Sequence, residues 1–167
     1  MKILSVENLS RSFGGIKANN DISFEVAEGT ILGVIGPNGA GKSSLMRTIA
    51  TRQTADAGTI TFDGIDVLSQ PNELRQRLGY LPQDFGVYPR ISAYDLLDHL
   101  AILKGIANKA ERQEAVNGLL AHVNLFQHRK NAVSSFSGGM RQRFGIAQAL
   151  LGNPDLLIVD EQIGITQ

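Results

Sequence analysis

The sequence predicts a mixed α/β fold on three observations. Residues 36–43 read G-P-N-G-A-G-K-S, directly after an apolar run at 31–35 and before a helical pattern. That is strand, glycine-rich loop and helix in the order the G-x-x-x-x-G-K-[ST] motif requires. Short stretches of alternating polarity occupy the N-terminal third, and a helical stretch in the middle gives way to a second apolar run, Leu156–Val159.

In chain order, residues 1–26 read as two or three short strands. Within them 22–26 alternates apolar and polar as a half-buried strand does, and Gly14-Gly15 marks a turn before it. Residues 31–35 are apolar throughout, as for a strand covered on both faces. Residues 43–50 follow as the helix after the loop. Residues 58–64 form a short alternating strand between glycines, and Leu78–Leu81 forms another, closed by Pro82.

Ser92 and Asp95 then have the spacing of a helix-opening box, with Leu96, Leu97, Leu100 and Leu103 behind them at helical intervals. A second helix spans Lys109–His122, with Ala115, Leu119 and His122 near one face. Residues from about 86 to 135 therefore read as a helical insertion within a single domain, 1–167. A last helix begins after Ser137, its apolar stripe carried by Met140, Phe144, Ala147 and Leu151, with Arg141, Arg143 and Gln148 off it. Asn153-Pro154 punctuates the way into the final strand.

The bulk numbers narrow the function classes. The 167 residues suffice for a real core, and 43% of them are hydrophobic. Lys+Arg and Asp+Glu both number 16, so there is no basic footprint for nucleic acid and no polybasic block for an anionic membrane surface. The absence of Cys excludes disulfides and thiolate metal sites. The first residues lack the apolar core of a secretory signal, and no apolar run approaches the length of a membrane span. A membrane role is expected to come through a partner.

The chemistry lies in three segments. In the first, Gly36, Asn38, Gly39, Ala40 and Gly41 form a loop whose backbone N–H groups converge on an anion, helped by the dipole of the helix that follows. Lys42 adds a charge aimed at the β- and γ-phosphates of a nucleotide, Ser43 a hydroxyl suited to Mg²⁺, and Ser44 continues the cradle. In the second, Leu156–Val159 ends in Asp160-Glu161. A carboxylate at a strand tip reaches a Mg²⁺ shell, and its neighbour is placed to activate water. Alone, the same pattern also fits a strand ending in solvated acids. In the third, Ser137 caps a helix whose first turn, Gly138-Gly139, exposes N–H groups to an anion. Locally this fits a plain capped helix equally well.

The order of these segments resembles the ABC ATPase family, the nucleotide-binding domains of ATP-binding-cassette transporters, from about Ile3 to Glu161. The resemblance implies a P-loop NTPase core with an N-terminal antiparallel β subdomain and an α-helical insertion. It implies ATP and Mg²⁺ as cofactors, with Ser43, Gln83 and Asp160 serving the metal and Lys42, Gln83 and Glu161 the chemistry. Ser137, Gly138 and Gly139 are similar to the family's signature segment, which acts in trans on the nucleotide of a second subunit in a head-to-tail dimer. Gln83, after Tyr80-Leu81-Pro82, matches the Q-loop glutamine. Phe13 matches the aromatic residue that stacks on adenine, although a core Phe near a turn fits it equally. Integral-membrane subunits are the implied partners, met by the helical insertion at the cytoplasmic face of the membrane. The stretches 81–89 and 101–106 look most like exporter-type cassettes.

The chain also departs from that pattern. Phe136 and Met140 replace the commoner Leu and Gln of the signature. After Glu161 the sequence runs Gln162-Ile163-Gly164-Ile165-Thr166-Gln167, without the Pro-Thr and D-loop of the family, and no histidine follows to act as its switch. His99, His122 and His128 all precede the signature and read as surface residues. The C-terminal part of the usual domain is thus expected to be missing, exposing apolar surface and a sheet edge and impairing hydrolysis. The alternatives to a transporter subunit are a non-catalytic nucleotide-binding remnant and a soluble ABC-type ATPase.

Overall fold

The computed structural model describes residues 3–83, 86 and 89–160. The chain divides into two compact units, Met1–Arg75 and Gln76–Gln167.

The first unit is built on a long antiparallel hairpin, β1 (Ile3–Phe13) and β2 (Ile16–Ala27). Its turn falls at Gly14-Gly15, both with positive φ. β3 (Ala57–Phe62) and β4 (Ile65–Asp66) extend the sheet to the order β2-β1-β3-β4. The two or three short strands expected from 1–26 are therefore two long ones. The register shifts between Val6 and Leu9, where Asn8 adopts a positive φ. Side chains pin that irregularity: Asn8 N donates to Ser23 Oγ at 2.8 Å and Asn8 Nδ2 to Asp21 Oδ1 at 2.7 Å. Helix α1 (Lys42–Ile49) follows the glycine loop and buries Leu45, Thr48 and Ile49. Val6, Leu9, Ile60, Val67 and Leu74 are the unit's most deeply buried apolar residues. α2 (Pro71–Arg77) leads out of the unit.

One expected strand is absent. Residues 31–35 run without ladder partners among the described residues, and Ile31 and Ile35 are 100% and 97% exposed. An apolar run becomes a doubly covered strand only when neighbours take up its N–H and C=O groups and cover its side chains. No strand among the described residues does so. The run leaves apolar surface exposed, at Ile31, Leu32 and Ile35.

The second unit begins with β5 (Leu78–Leu81), which pairs in parallel with β6 (Leu156–Val159), Leu78 opposite Leu156 and Leu81 opposite Val159. An Arg77–Asp155 ion pair at 2.6 Å and an Asp155 N bond to Arg77 O close the entry to both strands. One face of β6 is open, where Leu157 and Val159 are exposed. Gly79 is required by close approach. A Cβ there would stand 2.1 Å from Ala149 O, at the end of α5 (Gly138–Leu150), which packs on β5.

Between the strands lie α3 (Ala93–Leu103) and α4 (Lys109–His122), capped by Ser92 and Asn108. Their core takes in Leu96, Leu97, Val116, Leu120, Leu125, Val133, Phe136, Phe144, Ala147 and Leu151. One helix face differs from expectation: Leu103, in line with the other α3 leucines, is exposed. α4 buries Val116 and Leu120, with Ala115 and Leu119 half-buried beside them and His122 at the surface. The partner surface decides which of two neighbouring stripes on a weakly amphipathic helix turns inward. The α5 stripe is as expected, Phe144 meeting Phe136 edge to face at 6.2 Å. An Arg112–Asp98 pair at 2.7 Å ties α4 to α3, and Arg143 Nη1 donates to the carbonyls of Val123 and Asn124, just past the end of α4.

Phe144 is fully buried at the centre of this cluster. Phe144→Ala is expected to destabilise the second unit by about 3–5 kcal/mol, read as a lowered urea midpoint. A variant within about 1 kcal/mol of wild type contradicts this account of the core.

Candidate functional site

The phosphate-type loop lies wholly in the first unit. After the exposed 31–35 run the chain turns through Asn38 and Gly39, where Ala40 N donates to Pro37 O at 3.2 Å. It enters α1 through Gly41, the helix N-cap, at φ 86° and ψ 9°. Glycine is needed here on two counts. The left-handed conformation disfavours any side chain, and a Cβ at Gly41 would stand 2.0 Å from Ala18 O on β2. The Gly41 carbonyl accepts twice, from Leu45 N at 2.9 Å and from Asn19 Nδ2 at 3.1 Å. No side chain caps α1, and no acid stands in its first turn. Its leading N–H groups therefore carry the partial positive charge of the helix without a carboxylate beside them.

Lys42 folds back over the loop, Nζ donating to Gly36 O at 2.6 Å and Pro37 O at 2.8 Å. A cation is thus held on the same side as the loop backbone. Ser43 follows on the first turn of α1, and Ser44 turns elsewhere: its Oγ and its carbonyl both accept from Gln53 Nε2 at 2.8 Å. Gln53 also donates to Thr48 Oγ1, so it braces α1 from the chain beyond the helix. Gly36, Asn38, Gly39 and Ala40 are all exposed. The donor set fits a polyphosphate: one ammonium, one hydroxyl and a helix N-terminus free of acids.

Phe13 stands at the end of β1 with 46% of its surface open, which rules against a core role. The guanidinium of Arg11 lies over its ring, 4.7 Å from the centroid. Arg11 is held in turn by Asp56 Oδ1 at 2.7 Å, while Asp56 Oδ2 accepts from Ser12 N at 2.6 Å. The ring is therefore an oriented platform at the end of β1.

The second unit carries the other predicted residues. Asp160, 5% exposed, follows β6, its backbone N donating to Leu81 O at 2.8 Å as the ladder's last rung. Gln83 is exposed two residues beyond β5. Ser137 is the N-cap of α5, accepting from Met140 N at 3.2 Å, and Gly138 and Gly139 face open space. Glu161 lies outside the described residues. His99, His122 and His128 are all exposed, as expected. A hydroxyl, an amide oxygen and a carboxylate are the hard oxygen donors Mg²⁺ prefers. Mg²⁺ carried on phosphates needs only one or two protein carboxylates. Among the described residues no three His, Cys, Asp or Glu side chains gather as a separate metal site.

Sequence reasoning missed Asn19, Gln53, Arg11 and Asp56. None has a motif of its own, since each acts through a partner 9 to 45 residues away in the chain.

The sequence pattern of the ABC transporter family matches residues 19–164. The ABC transporter ATP-binding protein NatA of Bacillus subtilis (strain 168) is 36% identical over 147 residues, covering 87% of this chain and 59% of NatA. The lipopolysaccharide export system ATP-binding protein LptB of Escherichia coli (strain K12) is 34% identical over 163 residues, covering 96% of this chain and 68% of LptB. The chain thus spans 59% and 68% of the length of these two relatives. Among solved structures, the dimeric ABC transporter cassette MJ0796 superposes with a TM-score of 0.87 over 98% of this chain and 76% of that one, a likeness of fold at 24% identity. Among the described residues no helix is long and apolar enough to cross a membrane.

Gly41→Ala forces a methyl onto Ala18 O and a left-handed backbone costing about 1–2 kcal/mol by itself. The expected result is a thermal midpoint lowered by several degrees together with loss of ATP binding in a calorimetric titration. Retention of both contradicts the close approach of loop and strand.

Proposed function

This chain belongs to the ABC transporter family, and on that premise we propose that it is an ATP-binding subunit of a membrane transporter. The observation that carries the reading is the loop itself. Left-handed Gly41, the folded-back Lys42 and the acid-free N-terminus of α1 form one anion cradle. ATP, when bound, supplies the phosphoanhydride whose cleavage drives the transporter between states.

Each residue has a proposed part. The loop N–H groups and Lys42 hold the phosphates and neutralise their charge. Ser43, Asp160 and Gln83 provide oxygen ligands for Mg²⁺, and Glu161 takes the proton of the attacking water. Phe13, oriented by Arg11, offers a π-face to the adenine. Ser137, Gly138 and Gly139 act on the nucleotide of a second ATP-binding subunit. Their support is an open, capped helix start and the dimeric state of MJ0796. Integral-membrane subunits are the proposed further partners, at the cytoplasmic face. Export is the proposed direction, supported by the likeness to a lipopolysaccharide export protein.

The 167 residues by themselves are proposed to bind ATP but to turn it over poorly. Support comes from the 31–35 run, which delivers the chain into the loop yet has no ladder to hold it among the described residues.

Two measurements test this. Mg-ATP at 100 times its Kd adds about 2.7 kcal/mol to the native state, so the thermal midpoint is expected to rise by roughly 5–10 °C. Lys42→Ala should abolish the rise, and a rise that persists in that variant overturns the loop assignment. In a steady-state assay the chain is expected to release phosphate at or near background. Robust turnover that Glu161→Gln removes refutes the poor-turnover proposal while supporting Glu161 as the base.

A further inference from the structure

Asn19 is a residue that its own sheet does not call for. It sits within β2, opposite Arg11 on β1, and is only 6% exposed. Its Nδ2 donates to Gly41 O at 3.1 Å, but its Oδ1 is buried with no hydrogen-bond partner among the described residues. A half-satisfied buried amide is less favourable for folding than an apolar side chain of similar size, because the orphaned oxygen has lost its water. Strand propensity points the same way, since Asn is depleted in strands and Val enriched. Stability alone therefore does not account for Asn19, and what the amide does hold is the phosphate loop.

The bond has a geometric consequence. The peptide between Gly41 and Lys42 is planar and trans, so its N–H points opposite to its C=O. Leu45 N and Asn19 Nδ2 together occupy both acceptor positions of the Gly41 carbonyl. With the carbonyl fixed from two directions, the peptide plane cannot rotate, and the Lys42 N–H is aimed back toward the loop. On the same side the Gly41 backbone is pressed against Ala18. β2 thus grips the last turn of the loop by contact at Ala18 and by a directed bond at Asn19.

We propose that Asn19 is a positioning residue of the phosphate loop, orienting the Gly41–Lys42 peptide toward the nucleotide at the expense of fold stability. The proposal rests on the nucleotide-binding reading above and adds the residue that presets its geometry. It makes stability and affinity move in opposite directions, which a merely structural side chain does not do.

The experiment compares Asn19→Val and Asn19→Asp with wild type in the intact chain. Three quantities are read: the ligand-free thermal midpoint, the Kd for Mg-ATP, and amide hydrogen exchange without ligand. Asn19→Val should keep or raise the midpoint while the Kd rises roughly five- to tenfold, the loss of about one hydrogen bond. Exchange at 39–43 should quicken with the rest of the sheet unchanged. Asn19→Asp should bind weakly at pH 8, where the carboxylate faces the Gly41 carbonyl. It should regain affinity as the pH falls and the protonated acid donates to that oxygen, over a range where wild type is flat. An unchanged Kd with unchanged exchange overturns the proposal, and so does a Kd that rises only in step with a falling midpoint. If wild type itself does not bind Mg-ATP, the nucleotide reading fails. The ligand-free exchange at 39–43 still decides whether Asn19 holds the loop.

Discussion

Two stretches of backbone meet where Gly41 passes Ala18, at a distance that leaves no room for a side chain. Much of the first unit is arranged around that approach. β2 supplies the wall, and its long pairing with β1 keeps the wall stiff. α1 starts at the point of contact and drives Leu45 and Ile49 into the core, so that hydrophobic burial presses the loop onto the strand. A glycine in left-handed conformation is the one residue that satisfies the turn and the contact together. The anion cradle is a consequence of this packing: once the loop is gripped, its N–H groups and Lys42 have nowhere else to point.

The second unit solves a different problem with the same means. A short parallel pair, β5 and β6, is backed by α5, and the bare Cα of Gly79 lets the end of that helix come close. α5 also belongs to the helical cluster centred on Phe144, Leu97 and Leu120. One helix therefore serves β5, the strand that leads to Gln83, and the helices α3 and α4. Its capped N-terminus, Ser137-Gly138-Gly139, is carried on a rigid element rather than on a free loop. A shift in helical packing would be passed to that terminus directly, because the buried face and the open first turn lie on one helix.

Much of the site was legible before any coordinates. The loop at 36–43, the cap at Ser137 and the acid at Asp160 are local features, written in consecutive residues whose backbone requirements are strict. Lys109–His122 and Leu78–Leu81 were legible too, the first as a helical stretch and the second as a short run closed by Pro82. The residues that support the site were not legible. Asn19 reaches across to Gly41, Gln53 reaches back to Ser44, and Asp56 holds Arg11 over Phe13. These partners are brought together by sheet register and helix placement, which no short window of sequence contains.

The 31–35 run marks the same boundary from the other side. Its composition establishes an apolar segment with strand preference, and that is all composition establishes. Whether the segment becomes a buried strand depends on which backbones stand beside it, and among the described residues none pairs with it. By itself the sequence determined the fold class, the donor groups of the loop and the order of the motifs, because these follow from local backbone geometry and side-chain type. Only the tertiary structure decided which faces of α3 and α4 turn inward, how the loop is gripped by β2, and where apolar surface stays open. Those outcomes depend on contacts between residues distant in the chain, and they are settled by packing rather than by propensity.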